Sequence, residues 1–260
     1  MNTSPEVTSP FDDGELYDAI FANLDYAIDF YVKEARQADG PVLDIACGTG
    51  RILLPCWIAG VPTDGLDYSS AMLDRLRHKA KELHFEPKLY QGDMAKFSLP
   101  DKYALVMITF NAFGHNLTQE AQISCLQCCK RHLLPGGKLV FDAFFPGLHI
   151  IGAAQHTREH EHTTPNPATG ETLNIYDTRS FDRVKQIQHS INEIESVDAT
   201  GNIKLLQRSE FDMRWVYKDE MALLLRAAGF PRWEIHGDFE GKDLNDEKDG
   251  MVVHAWNDVS

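Results

Sequence analysis

One short stretch of the chain combines an acid with two glycines at a spacing suited to ligand binding. Residues 42–51 read Val-Leu-Asp-Ile-Ala-Cys-Gly-Thr-Gly-Arg, with the acid at Asp44 and the glycines at Gly48 and Gly50. Glycine permits a positive φ and a close approach of the backbone to a ligand, and the free N–H groups at the start of the next helix face that ligand. A carboxylate beside the turn repels a pyrophosphate and attracts an ammonium or sulfonium group. The stretch therefore favours a cationic, nucleotide-type ligand.

This stretch resembles motif I of the class I S-adenosylmethionine (SAM)-dependent methyltransferases, in which an acid is followed by x-G-x-G-x-G. Ala46 stands where that pattern has its first glycine, which is a mild departure. The resemblance implies that Asp44, Ala46, Cys47, Gly48 and Gly50 bind the cofactor. A single G-x-G turn also joins ordinary strands and helices, so further motifs in the right order must decide.

A second acid follows the second predicted strand. That strand covers residues 61–66 and ends at Asp67, nineteen positions after Gly48. A carboxylate at this place can accept hydrogen bonds from both hydroxyls of a ribose, which fits NAD and SAM equally. Tyr68 and Met72 follow and are candidate cofactor contacts, although packing in the core is the commoner role of a methionine at helical spacing.

A third acid follows a predicted strand over residues 87–90, in the pair Asp93-Met94. The pair resembles the adenine clamp of the family. The resemblance implies that the acid accepts from the exocyclic amine and that the backbone N–H of Met94 meets a ring nitrogen. An aspartate that caps the following turn explains Asp93 as well.

Residues 103–110 give the clearest buried strand, and Phe110 and Asn111 lie at its end. The family has motif IV here, beside the transferred methyl group, so both residues are expected at the cofactor. The segment lacks the Asp/Asn-Pro-Pro-Tyr/Phe form that acts on the amino groups of nucleic-acid bases. His115 follows and is the best candidate for a general base, because its ordinary pKa lies near neutrality.

Apolar residues at helical spacing predict a helix over residues 14–36, before the glycine turn. In the family, a helix at this place lies across the mouth of the cofactor site. Tyr17 with Asp18 resembles the Tyr-Asp pair of small-molecule N-methyltransferases, in which the tyrosine closes over the methyl donor. Tyr17 is therefore both a candidate cofactor contact and the second catalytic candidate.

The rest of the sequence predicts an α/β fold. The family implies a Rossmann-like, seven-stranded, mostly parallel sheet with an antiparallel last strand. Alternating apolar residues over 203–217 and a strand over 174–181 add a small antiparallel β insertion after the fifth strand, while residues 185–197 fit a strand or a helix. The polar segment around residues 156–162 reads as a loop, and a helix is expected from Thr118 to His132.

These elements divide the chain into three parts. Residues 1–146 are predicted to form the SAM-binding Rossmann-like core with its N-terminal lid helix. Residues 147–217 are predicted to form the inserted antiparallel layer, which acts as a substrate cap. Residues 218–260 are predicted to complete the core.

The composition limits the partners. A net charge of −14 argues against a nucleic-acid partner, and no apolar run approaches the roughly 18–20 residues that cross a membrane. The absence of a secretory signal and the odd number of cysteines, five, favour a cytoplasmic protein with reduced thiols. We expect no metal site and a small-molecule methyl acceptor, and the sequence leaves a homodimer open.

The motifs occur in family order and predict a SAM-dependent methyltransferase. It resembles the small-molecule, amino-sugar-type N- and O-methyltransferases, which move a methyl group to a nitrogen or oxygen and release S-adenosylhomocysteine (SAH). Two alternatives stay open. One is an NAD(P)-dependent oxidoreductase, which Asp44 and the missing third glycine disfavour. The other is a catalytically silent SAM-binding module.

Overall fold

The computed structural model describes residues 8–152 and 155–258. This part of the chain holds eleven strands in two sheets. In chain order they are β1 Val42–Ile45, β2 Thr63–Asp67, β3 Leu89–Gln91, β4 Tyr103–Ile108, β5 Leu133–Ala143, β6 Arg158–Pro165, β7 Thr172–Asp182, β8 Ile187–Val197, β9 Ile203–Arg214, β10 Arg232–His236 and β11 Met251–Trp256.

The first sheet has seven strands in the order β10-β11-β5-β4-β1-β2-β3. Strands β1 to β5 pair in parallel, and β11 pairs antiparallel with both β5 and β10. The other four strands form an antiparallel sheet in the order β6-β7-β8-β9, inserted after β5. This arrangement confirms the predicted fold class.

Seven α-helices and one short 3₁₀ helix connect the described strands. They are α1 Gly14–Ile20, α2 Ile28–Gln37, α3 Leu53–Ile58, α4 Ser70–Glu82, the 3₁₀ helix Ala112–His115, α5 Gln119–His132, α6 Leu148–Gly152 and α7 Lys218–Ala227. Side-chain oxygens of Asp13, Ser69 and Thr118 accept N–H groups at the starts of α1, α4 and α5. None of the helices within residues 8–152 and 155–258 combines the length and apolarity needed to cross a membrane.

The prediction of one helix over residues 14–36 was wrong. The chain forms α1 and α2, separated by residues 21–27. Ala27 has φ 62°, in the left-handed region, which a continuous α-helix cannot contain. Arg51 stabilises the break between the two helices, because its Nη1 and Nη2 donate to the carbonyl of Tyr26 at 2.8 and 2.7 Å. The break lets α1 pack against α4 and β6 while α2 packs against α3.

The prediction of a loop around residues 156–162 was also wrong from Arg158 onward. This segment is β6, an edge strand that pairs with β7 and carries a register shift between His160 and His162. Its polar side chains are compatible with a strand because an edge strand has one open side facing water. The segment 185–197, which fitted either structure, forms β8 from Ile187 onward.

The four-stranded sheet contacts the core at two places. Ala19 on α1 packs with Leu173, Ile175 and Ile194 of β7 and β8. At the other place Gly114 of the 3₁₀ helix lies against β9, where an added Cβ would be 3.0 Å from Met213 Cε. The division of the chain at residues 146 and 217 stays a prediction; the inserted strands run from Arg158 to Arg214.

Candidate active site

The turn after β1 is open on one side and tightly packed on the other. Gly48 has φ +54°, and a Cβ built there would meet no atom within 4 Å. Gly50 has φ +89°, and a Cβ there would lie 2.3 Å from Leu76 Cδ1 on α4. Gly48 therefore borders free space at the carboxyl end of β1, whereas Gly50 lets the turn pack against α4.

The two residues before Gly48 complete this turn. Ala46 has φ 55°, a left-handed conformation that costs a residue with a Cβ roughly 1–2 kcal/mol. The Cys47 sulfur lies against β2, where a Cβ on Gly65 would be 2.8 Å from it. Burial raises the pKa of the Cys47 thiol well above its ordinary value. The thiol is thus packed in the core, and the backbone of Cys47 is the part that borders the turn.

Asp67, at the end of β2, joins the glycine turn to the start of α4. Its Oδ2 accepts from the Gly48 N–H and its Oδ1 from the Ser69 N–H, both at 2.8 Å. Burial raises the pKa of the Asp67 carboxyl, although these N–H groups act to lower it. Each oxygen keeps an unused lone pair, so the carboxylate is held in a fixed orientation from which it can accept two further hydrogen bonds.

The Asp44 carboxyl group is buried beside this turn and is 1% exposed. Neither of its oxygens has a hydrogen-bond partner within residues 8–152 and 155–258. Burial, and after it the nearby charge of Asp67, raises the pKa of Asp44 to about 8. A buried carboxylate without a partner is costly, and a cation bound beside it offsets that cost. The position suits a positively charged ligand.

Arg51 follows the turn and was not among the predicted site residues. Besides its bonds to the Tyr26 carbonyl, its guanidinium carbon lies 4.6 Å from the centroid of the Phe110 ring. Its Nε is buried and has no partner in the described part of the chain. Its place directly after Gly50 was the signal in the sequence that could have identified it.

Phe110 and Asn111 follow β4 in a strained conformation, each with φ 58°. Their N–H groups donate to the carboxylate of Asp142 on β5, at 3.0 and 2.7 Å. The Tyr31 hydroxyl on α2 donates to the same carboxylate at 2.5 Å. Burial raises the pKa of Asp142, although these three donors act to lower it. Asp142 and Tyr31 therefore fix the two residues that follow β4, and no motif indicated either of them.

A chain of aromatic side chains, here called the aromatic rim, connects α1 to the end of β4. Its members are Phe11, Tyr17, Phe21, Phe110 and His115. Neighbouring ring centroids are 5.4 Å apart for Phe11 and His115, 6.3 Å for Phe11 and Tyr17, 4.7 Å for Tyr17 and Phe21, and 5.3 Å for Phe21 and Phe110. The structure therefore brings Tyr17, Phe110 and His115 into one cluster.

The His115 ring is oriented by β9. Its Nδ1 lies 3.2 Å from the carbonyl oxygen of Asp212. Because a carbonyl only accepts, Nδ1 carries the proton of the neutral ring and Nε2 keeps a free lone pair. Burial lowers the pKa of His115, although the Asp212 carbonyl acts to raise it. The ring is therefore neutral near pH 7 and can accept a proton at Nε2.

The tyrosine of the rim differs from the histidine in its chemistry. Burial raises the pKa of Tyr17 above its ordinary value, and Arg51 acts to lower it. The phenol therefore stays protonated at neutral pH.

The next residue, Asp18, accepts from Thr49 Oγ1 at 2.6 Å and pairs with Arg75 Nε and Lys79 Nζ at 2.8 Å each. Asp18 thus ties α1 to the glycine turn and to α4.

The remaining predicted contacts lie beside Asp67 and after β3. Tyr68 is 77% exposed, while Met72 is 1% exposed in the core. The half-buried Asp93 accepts from the Ala95 N–H at 2.8 Å, which is the turn-capping role that the sequence also allowed. Asn116 Nδ2 donates to Met94 Sδ at 3.1 Å and so links Met94 to the chain just after the 3₁₀ helix.

Comparison with known proteins finds a family that is similar to part of the chain, including most of this site. A family described as "Methyltransferase domain" matches residues 42–137, which include the glycine turn and most of the predicted site. Over these residues the chain is similar to a methyltransferase domain, which supports the predicted SAM-dependent methyltransferase. The match favours the methyltransferase over the NAD(P)-dependent oxidoreductase and over the catalytically silent module.

Two curated relatives and one solved structure resemble the chain. The cypemycin N-terminal methyltransferase of a Streptomyces species is 25% identical over 224 residues, 86% of each chain. A dTDP-3-amino-3,4,6-trideoxy-α-D-glucopyranose N,N-dimethyltransferase of Streptomyces venezuelae is 30% identical over 141 residues, 52% of this chain and 58% of the relative. A SAM-dependent methyltransferase of Clostridium acetobutylicum has the same fold, with a TM-score of 0.75 at 16% identity over 94% of this chain and 97% of that one.

The candidate site fits the chemistry of SAM, the methyl donor that the sequence predicts. The unpartnered carboxyl of Asp44 lies where a cation would balance it, and SAM carries both an ammonium and a sulfonium group. The free space at Gly48 leaves room for a ligand against the backbone. Asp67 offers two acceptor positions of the kind that a ribose diol requires.

Proposed function

We propose that the chain methylates an amine nitrogen of a small molecule. The observation that carries the proposal is the orientation of His115, a neutral imidazole with a free Nε2 in the aromatic rim. An ammonium acceptor must lose a proton before its nitrogen can attack, and a neutral histidine can take it. The similar proteins named above act on the N-terminus of cypemycin and on an amino sugar, which supports an amine acceptor.

The donor side of the proposal rests on the residues around the glycine turn. Asp67 holds the ribose hydroxyls, while Asp93 and the backbone of Met94 hold the adenine. The Asp44 carboxylate faces the ammonium of the methionine part, and Arg51 pairs with its carboxylate. Tyr68 borders the adenosine from its exposed position.

SAM supplies an electrophilic methyl group on a sulfonium centre. The protein orients the acceptor nitrogen in line with that group, which by itself can supply much of the rate. In the proposal Tyr17, Phe110 and Asn111 enclose the reacting atoms and exclude water. His115 Nε2 accepts the proton that the acceptor nitrogen loses, and Tyr17 orients the acceptor because its phenol stays protonated.

The test compares matched amine and alcohol acceptors, with SAH formation as the readout. Cyclohexylamine and 3-amino-3-deoxy-D-glucose are compared with cyclohexanol and D-glucose. We expect turnover of an amine and none of the alcohols. His115→Asn should lower kcat/KM at pH 7 by about 10²–10⁴-fold, because it removes a general base, while SAH binding stays unchanged. The exposed His78→Asn on α4 is the control. Turnover of an alcohol alone, or full activity of His115→Asn, would contradict the proposal.

The location and assembly remain part of this proposal. All five cysteines are free and buried, which supports a reducing compartment such as the cytoplasm. A homodimer is a further prediction, and sedimentation of the purified chain would test it.

A further inference from the structure

The position of His115 depends on the end of β9. The histidine lies on a single turn of 3₁₀ helix, whose own hydrogen bonds have poor geometry. An added Cβ on Gly114 would be 3.0 Å from Met213 Cε and 3.3 Å from the carbonyl oxygen of Arg214, so the two backbones lie in close contact. The end of β9 also supplies the Asp212 carbonyl that orients the His115 ring. Whatever fixes the end of β9 therefore fixes the histidine.

The side chain of Arg214, the last residue of β9, binds three other parts of the chain. It is buried, at 6% exposed. Its Nη1 donates to Gln122 Oε1 in the first turn of α5 at 2.7 Å. Its Nη2 donates to Glu220 Oε1 on α7 at 2.7 Å and to Gln186 Oε1, directly before β8, at 3.3 Å. We call these four residues the arginine clamp, because they join the end of β9 to α5 and α7.

The acceptors of the arginine clamp are themselves held in place. Gln186 Nε2 donates to Glu220 Oε2 at 2.9 Å and to the Trp215 carbonyl at 3.1 Å. Burial acts to raise the pKa of Glu220, but hydrogen bonds from its neighbours, Arg214 first among them, outweigh burial and hold the pKa below its ordinary value. The carboxylate is therefore ionised at neutral pH, and the guanidinium has a partner of fixed position and charge.

Stability alone gives little reason for an ion pair at this place. The cost of removing two charges from water offsets most of their attraction, and apolar side chains of similar size often stabilise a fold as well. The guanidinium differs from such side chains because its planar fork donates several bonds in fixed directions. A lysine donates from one nitrogen on a flexible stem and does not fix these directions. The arginine clamp is thus suited to setting a position.

The position that it sets decides which nitrogen of His115 carries the proton. Asp212 is two residues before Arg214, roughly 7 Å along an extended strand. Its carbonyl accepts from Nδ1, which leaves the lone pair on Nε2. If the end of β9 moves and this bond is lost, the proton is free to occupy Nε2 instead. An imidazole protonated at Nε2 cannot accept a proton there.

We propose that Arg214 is a positioning residue for His115, and that the arginine clamp keeps the histidine proton on Nδ1 by fixing the Asp212 carbonyl. The proposal deepens the proposed function and rests on the role of His115 as general base. The tautomer of the ring is nevertheless measurable without turnover. The placement of the ring and its use in the reaction can therefore be tested separately.

The experiment measures the tautomer of His115 by long-range ¹H–¹⁵N NMR of SAH-loaded protein labelled with ¹⁵N-histidine, at pH 8. Signals that disappear in His115→Asn belong to this residue. In wild type we expect the proton on Nδ1. In Arg214→Met the Nε2 signal should shift toward that of a protonated nitrogen, and in Arg214→Lys it should shift part of the way. The matched control is Arg208→Met, on the same strand, which removes a guanidinium paired with Glu193 at 2.8 Å and should leave the signal unchanged.

Kinetics of the same variants measures the consequence for turnover, with whichever of cyclohexylamine and 3-amino-3-deoxy-D-glucose is methylated. Arg214→Met should lower kcat about 10- to 100-fold, because a misplaced base costs this much, while the affinity for SAH stays unchanged. Arg214→Lys should recover part of the loss, and Arg208→Met should keep the wild-type rate.

The outcomes separate the inference from the proposed function. A proton on Nε2 in wild type, or an unchanged Nε2 signal in an Arg214→Met that binds SAH normally, would overturn the inference. If Arg214→Met does not fold, Arg214→Lys decides, and a wild-type signal in that variant overturns it equally. If the tautomer shifts as expected but kcat does not change, or neither amine is methylated, the base role of His115 fails and its positioning by Arg214 stands.

Discussion

In the protein without ligand, the buried Asp44 is largely protonated at pH 7, because its pKa is raised to about 8. An unfolded aspartate has a pKa of about 3.9. Since the folded pKa is the higher one, protonated Asp44 stabilises the fold fully below pH 4. This contribution is lost as the pH rises through 8, at a rate of up to about 1.4 kcal/mol per pH unit.

We predict that Asp44→Asn changes this pH dependence. The asparagine does not titrate, so the free energy of unfolding of the variant, relative to wild type, should increase by roughly 2–4 kcal/mol between pH 5 and pH 8. Urea denaturation of both proteins without cofactor, at each pH, measures this difference. Any other titrating group is common to the two proteins and cancels. A difference that stays constant with pH would show that Asp44 is not buried as an acid.

Asp44 should also make the affinity for SAH increase with pH, whereas it makes the stability of the free protein decrease. Only the ionised carboxylate attracts the SAH ammonium, and its population rises between pH 6 and pH 8. Wild-type affinity should therefore increase about tenfold or more over this range, since apparent affinity scales with the competent fraction. In Asp44→Asn the affinity should be weaker and nearly independent of pH. Calorimetry at both pH values tests this, and an equal dependence in both proteins would contradict it.

The candidate site residues that the sequence predicted are those whose signal is local. Asp44, Gly48 and Asp67 lie at strand ends, where parallel strands bring them to one edge of the sheet. The sequence did not indicate Asp142 and Tyr31, because they are 111 positions apart and meet only through packing of α2 on β5.

At the level of elements, one side chain of α1 binds the helix to two neighbouring parts of the chain. Asp18 accepts from Thr49, Arg75 and Lys79, and these donors hold its pKa below its ordinary range although burial acts to raise it. The bonds tie α1 to the glycine turn and to α4. The sequence predicted a helix at this position but not its end at Ile20, because the apolar spacing continues through the break. The break depends on Arg51, which is distant in sequence.

We predict that Asp18→Asn loosens α1 without disturbing the sheet. The amides of α1 should exchange with solvent about tenfold or more faster, while those of β1 and β4 keep their protection. SAH should bind more weakly because Tyr17 is no longer held over its site. Hydrogen exchange with mass spectrometry measures the first effect and calorimetry the second. Asp25→Asn, an exposed aspartate between α1 and α2, is the control, and equal protection of α1 in both variants would rule out the role given to Asp18.

The segment after β4 is held by α2 and β5 together. Phe110 and Asn111 both occupy the left-handed region, which costs of order 1–3 kcal/mol each and persists only if the surroundings enforce it. Tyr31 supports the Asp142 carboxylate that binds both N–H groups. Removing the Tyr31 hydroxyl should therefore disturb a conformation as well as a hydrogen bond.

We predict that Tyr31→Phe lowers the free energy of unfolding by about 1–3 kcal/mol and lowers kcat in the folded enzyme. The matched control is Tyr103→Phe, which removes a hydroxyl bonded to Asp64 at 3.2 Å near the start of β4, away from the site. The control should lose stability but keep kcat. Denaturation and single-turnover rates compare the two variants. Equal rates in both would mean that Asp142 holds the segment without Tyr31.

For the whole molecule, α1 connects the predicted donor site to the four-stranded sheet. Tyr17 belongs to the aromatic rim, while Ala19 packs on Leu173 of β7. The end of the helix is bound to β6, because His162 Nε2 donates to the Ile20 carbonyl at 3.1 Å. Three residues after α1, Asn23 Nδ2 also donates to Thr164 Oγ1 at 3.2 Å. Family motifs predicted the donor side of this arrangement, but nothing in the sequence placed the sheet against the helix. A ligand that orders α1 therefore also orders the four-stranded sheet that packs on it.

We predict positive coupling between donor and acceptor on this basis. SAH should increase the affinity for 3-amino-3-deoxy-D-glucose about fivefold or more, and the amino sugar should increase the affinity for SAH by the same factor, since coupling free energy is reciprocal. Asn23→Ala should reduce the factor without changing the affinity for SAH alone, because it removes one of the bonds that join α1 and the residues after it to β6 but leaves the glycine turn intact. Asn202→Ala, at the exposed turn between β8 and β9, should keep it. Calorimetry of each ligand with and without the other gives both factors, and a factor near one in wild type would mean that the two sites bind independently.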